Sequence, residues 1–211
     1  MAAAYAADAI PPPDAKDPLA GRKFAIRMPF GCQGPQRAPN SAQVFYEFDS
    51  MKRTARLVAQ PSTWTSLPQF QPAVARGALE AVEGFWVLHP WSNAETCPPP
   101  RQTPLPASPT PTAAPTLGLA RLFEPSDSRV GRRADRPYET ILKPTAEGDM
   151  PLWEGYRLVL EGRFATYPDG RVAHCWSESP DHRPVCLFAV QLDRVAFESG
   201  RDAQLLAEWQ E

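Results

Sequence analysis

The chain has 211 residues, 43 % hydrophobic and 22 % charged, with a formal net charge of −2. That composition supports the packed core of one ordinary domain or two small ones, and its balanced charge argues against dedicated nucleic-acid binding. No apolar run is long enough to cross a bilayer as a helix, and 26 prolines, each removing a backbone donor, exclude long helices from most of the chain.

Residues 1–20 are rich in Ala and Pro and read as a disordered tether. They lack a charged start and an apolar stretch, so they are not themselves a signal peptide, but they resemble what remains after one is removed. GRKFAIRMPF (21–30) predicts a strand with Phe24, Ile26 and Met28 on one face. QVFYEFD (43–49) and TARLVAQ (54–60), separated by SMKR, predict a hairpin. ALEAVEG (78–84) reads as a short helix and GFWVLHPW (84–91) as an apolar strand ended by Pro90.

Residues 98–116 are a different material, with eight prolines and a single charge at Arg101. Such a stretch favours polyproline II and acts as a linker or a long insertion. LGLARLF (117–123) and YETILK (138–143) predict strands on its far side. Between them, Arg129, Arg132, Arg133 and Arg136 form either an anion-contact patch or a solvated loop paired with Asp127 and Asp135.

The last third alternates most clearly. GYRLVLEGRFATY (155–167) sets Tyr156, Leu158, Leu160 and Phe164 on one face. Pro168-Asp169-Gly170 reads as a reversing turn into RVAHCWSE (171–178), followed by PVCLFAVQLDRVAF (184–197). The expectation is a three-stranded antiparallel meander with a bulge or bend at Gly162. RDAQLLAEW (201–209) reads as an amphipathic helix with Leu205, Leu206 and Trp209 as its stripe.

Four cysteines permit three disulfide pairings in an oxidising compartment. A turn centred between Pro180 and Asp181 sets Cys175 directly opposite Cys186, at a separation a disulfide spans. Cys32 then pairs with Cys97 by elimination. A metal site fits poorly, because His174 and Cys175 are strand neighbours pointing to opposite faces and no C-x-x-C occurs. Ser177, Asp181 and His182 have the letters of a catalytic triad, but a loop tip supplies neither an oriented base nor an oxyanion hole. Nucleotide-binding, hydrolase and metalloprotease motifs are absent from the sequence. No cofactor is implied.

The expected fold is mainly β, with antiparallel meanders forming a small barrel or sandwich, OB-like in one version, and a short C-terminal helix. The expected organisation is one unit over 21–211 interrupted by the proline-rich segment. The alternative is two lobes, 21–97 and 117–211. The expected function is a non-enzymatic, periplasmic or secreted binding or accessory protein, with an envelope protein or glycan as partner; a cytoplasmic location is the alternative. A second expectation is an OB-like barrel binding oligosaccharide or single-stranded nucleic acid through Arg129, Arg132, Arg133, Arg136, Trp153 and Trp176. A Cys/His enzyme or zinc protein is the third.

Overall fold

The computed structural model describes residues 17–35, 43–88, 94–98, 115–127, 131–143, 154–177, 179 and 182–211. Most of the tether, most of the proline-rich segment, His89, Arg129, Trp153 and Asp181 lie outside the described residues. Among the described residues, eleven strands and one short helix follow in order: β1 Lys23–Phe30, β2 Val44–Asp49, β3 Thr54–Ala59, β4 Ser62–Thr63, α1 Gln71–Ala75, β5 Ala81–Trp86, β6 Leu117–Phe123, β7 Tyr138–Leu142, β8 Tyr156–Phe164, β9 Ala173–Trp176, β10 Val185–Ser199 and β11 Leu205–Gln210. The fold is mainly β, as the alternating pattern predicts. The described residues begin at Asp17, before the expected boundary at 21. Asp17 opens a turn, its carboxylate accepts from the backbone N–H of Val172 (3.0 Å), and Gly21 donates to the Phe164 carbonyl (2.8 Å).

The large sheet runs β1-β8-β10-β6-β5-β4, with β9 and β11 also on β10, and a smaller sheet runs β2-β3-β7. The strand path of the large sheet ends at β1 and β4 and does not close on itself, so it is not a closed barrel. The sheet is mixed, because β6 runs parallel to β10. Strands on either side of the proline-rich segment pair with one another: β1 with β8, β3 with β7 and β5 with β6.

The long strand β10 explains this topology. Its first half pairs with β9 on one side and β6 on the other; its second half pairs with β8 and β11. The expected meander is therefore corrected. β8 and β9 both run antiparallel to β10 and never pair with each other, acting as one interrupted partner strand. Ala165 donates to the Ala189 carbonyl (2.9 Å), and Ala189 donates to the Val172 carbonyl (2.8 Å). Residues 166–171 are pinched off as an excursion between those two bonds. Within it Tyr167 bonds Arg171 and Gly170 bonds Tyr167. Pro168-Asp169-Gly170 is thus a turn, as its residues dictate, but it returns the chain to its original direction.

Gly162 sits where a bulge was expected, and the extra residue is on its partner. Leu192 faces Gly162 and Arg194 faces Glu161, leaving Asp193 unmatched. A Cβ at Gly162 would overlap the Gln191 carbonyl oxygen, so only glycine lets the strands approach this closely.

Two further expectations are corrected. ALEAVEG is not a helix; β5 starts at Ala81 and pairs with β4 and β6. Seven residues cannot repay helix nucleation alone, and the cross-strand partners decide. β5 lies between two cores: Phe85 joins the one shared with the small sheet, and Val82 joins the one containing Trp64, Phe70 and Tyr167. Burial on both faces removes the alternation that would have marked a strand.

The C-terminal helix is also absent. Residues 205–210 are β11, antiparallel to β10. Phe197 faces Ala207 and Glu198 faces Leu205, so Leu206 is an extra residue. That bulge lets Leu206, Ala207 and Trp209 all pack on the core, a spacing that imitates a helical stripe.

Candidate functional site

The excursion 166–171 carries side chains away from the sheet and toward α1. Between them lies a cleft of about 350 Å³. One wall is Phe70, Pro72, Ala73 and Leu79, around a one-turn helix whose Pro72 suits its first turn and which buries none of its own residues. The other wall is Tyr167, Pro168 and β9, with Leu187 of β10 contributing from the sheet.

Tyr167 anchors this architecture. Its hydroxyl donates to the buried Leu187 carbonyl (3.1 Å), and its ring lies 6.1 Å from Phe70, nearly parallel. Burial, with a smaller contribution from the Asp169 charge, holds the hydroxyl well above the usual tyrosine range, so it stays protonated. His174 meets the same ring edge-on at 4.4 Å and brings Nε2 to 3.1 Å from Asp169 Oδ2. The other Asp169 oxygen accepts from the Arg171 backbone N–H (3.1 Å). His174 and Asp169 therefore lock the excursion against β9.

The cleft is closed at the β9 end by a disulfide. Cys175 and Cys186 are directly opposed in the β9–β10 register and bonded, with Cα atoms 4.1 Å apart. Cys32 and Cys97 form the second bridge, Cα atoms 5.3 Å apart, and no cysteine is free. Both pairings are those read from the sequence. Gly155, at φ +70°, packs against this second bridge, where a Cβ would overlap Cys97 Sγ.

Trp176, half-buried, lines the cleft beside Cys175. The arginine loop lies elsewhere. Arg132 pairs with Glu80 (2.9 Å) and Glu83 (3.7 Å). Arg133 donates to the carbonyls of Arg136 (3.3 Å) and Pro137 (2.8 Å) and stacks on Tyr138. Arg136 donates to the carbonyls of Arg133 and Arg132, both at 3.0 Å. Three of the four arginines thus spend their donors on the protein itself. Near the loop tip, the Ser177 hydroxyl donates to the Ser179 carbonyl (2.6 Å), whereas the His182 ring meets Ser179 instead (2.6 Å).

A larger, more charged hollow of about 770 Å³ lies on the small sheet. Its charges mostly answer one another: Arg56 pairs with Glu47 (3.2 Å) and Glu139 (2.6 Å), and Lys52 with Asp49 (3.6 Å). The smaller cleft, with its aromatic floor and few convergent polar groups, has the character of a ligand site. Phe70, Arg76 and Tyr167 were not singled out in the sequence. The usable signal was Pro168-Asp169-Gly170 flanked by Tyr167 and His174, which looks the same whether a turn reverses the chain or merely interrupts it.

Among the described residues there is no group of three or more His, Cys, Asp or Glu placed to hold a metal. Nor is any helix there long and apolar enough to cross a membrane. No protein-family model, curated protein or solved structure matches the chain.

Proposed function

We propose that this chain is a non-enzymatic binding or accessory protein of an extracytoplasmic space, periplasmic or secreted, and that it binds through the cleft beside Cys175–Cys186. The observation that carries this reading is that all four cysteines are paired, with Cys175 of one pair lining the cleft. Paired structural cysteines belong to oxidising compartments, since cytosolic reductants keep thiols free. The non-enzymatic part draws support from the candidate nucleophiles. The cysteines are bonded, and the Ser177 hydroxyl is turned to backbone carbonyls rather than to an imidazole.

The test is thiol counting on protein purified from its native host, denatured without reductant and with thiols blocked at lysis. The expected result is no reactive thiol. Four reactive thiols would place the chain in a reducing compartment and sink this proposal.

A further inference from the structure

We infer that the cleft takes a small amphipathic anion: an aromatic or aliphatic carboxylate, its apolar body against Tyr167 and Leu187 and its carboxylate on Arg76. This rests on the cleft being the binding surface and names what that surface selects.

Four ionisable side chains line the cleft, Arg76, Tyr167, Asp169 and His174, beside the amide of Gln69. Both Asp169 oxygens are engaged, one by His174 and one by the Arg171 N–H. Arg76, at the end of α1, is exposed; its backbone N–H caps the helix on the Pro72 carbonyl, and its guanidinium makes no hydrogen bond or ion pair among the described residues. Arg76 is therefore the charged side chain of the lining left without a partner among the described residues. The Trp176 indole N–H makes no hydrogen bond among the described residues either. Guanidinium and indole nitrogens donate and cannot accept. A carboxylate answers such donors with acceptors alone and adds the charge opposite to that of Arg76, which a neutral, hydroxyl-rich sugar does not.

The rest of the lining sets the body of the ligand. Phe70, Leu79, Tyr167 and Leu187 present hydrocarbon and ring surface, and the Tyr167 hydroxyl is already spent on the Leu187 carbonyl. A volume of about 350 Å³ lies at the small end of the range for ligand clefts, roughly 300–1,000 Å³. That suits a fused-ring or medium-chain acid rather than a folded partner.

The experiment is calorimetric titration of the full chain, disulfides intact, with naphthoate and with its neutral counterpart naphthylmethanol. Tryptophan emission is followed in parallel for the protein and for Trp176→Phe. Naphthoate is expected to bind saturably at one site and to change an emission component that Trp176→Phe removes. Arg76→Gln, a change at an exposed residue, is expected to weaken naphthoate about three- to tenfold and leave naphthylmethanol unchanged. Equal naphthoate affinity for both proteins, or naphthylmethanol binding as tightly as naphthoate, overturns the assignment of an anion while leaving a cleft that binds. No saturable binding of either probe overturns the assignment together with the reading of the cleft as a binding surface.

Discussion

Glu83 is a carboxylate almost fully removed from solvent in the middle of a strand. It persists there because it accepts from the backbone N–H groups of Arg133 (2.8 Å) and Ala134 (2.9 Å) and lies against Arg132. One buried acid thus fastens the whole arginine loop to β5. Glu83→Ala removes the acceptor of two part-buried N–H groups and is expected to cost about 1–3 kcal/mol in denaturant unfolding; a cost below about 0.5 kcal/mol would refute this role. Ala134 sits at φ +47°, where a side chain is strained. Ala134→Gly is expected to raise stability by up to about 1 kcal/mol. The sequence suggested acid partners for these arginines but pointed to Asp127 and Asp135. The acids that hold Arg132 are Glu80 and Glu83, some fifty positions away, a proximity that only the pairing of β5 with β6 creates. The cysteines were legible for the opposite reason: hairpin symmetry is local, so two positions about a midpoint suffice to locate Cys175 against Cys186.

At the scale of elements, the two disulfides restrain unequal amounts of chain. Cys32–Cys97 spans 65 positions and Cys175–Cys186 spans 11. In the chain-entropy picture, removing the first by a Cys→Ser pair is expected to cost about 1.5 kcal/mol more than removing the second. Thermal or denaturant unfolding of the two double variants measures this, and the reverse order would show that strain or packing outweighs loop closure. β9 is only four residues long and is tied to β10 by the shorter bridge. Its removal should therefore loosen the cleft before it unfolds the sheet. Hydrogen exchange at residues 173–176 is expected to accelerate while exchange across β8 stays slow; equal acceleration in both would refute that order. Regular half-buried strands such as β1 and β3 were legible because one face met water. β5, buried on both faces, and β11, interrupted by a bulge, lost the period that reading depends on.

For the whole molecule, the buried tyrosines set an alkaline limit. Burial raises the hydroxyls of Tyr46, Tyr138, Tyr156 and Tyr167, and Tyr156 is pushed up to about 12 from an ordinary 10.0. The fold favours the protonated form, so this stabilisation is complete below pH 10 and is lost as pH rises toward 12. An absorbance titration is expected to show these four ionising together with cooperative unfolding; four groups titrating near pH 10 in a folded protein would contradict it. The strand that joins the two halves of the large sheet also determines when they can form. Nine strands precede β10, and among the described residues β1-β8 and β6-β5-β4 are hydrogen-bonded into one sheet through it. A ribosome has therefore made most of the chain before the piece that unites it emerges, and a growing chain stopped short of Val185 should remain open to protease throughout. Joining of the large sheet therefore waits for residues 185–199.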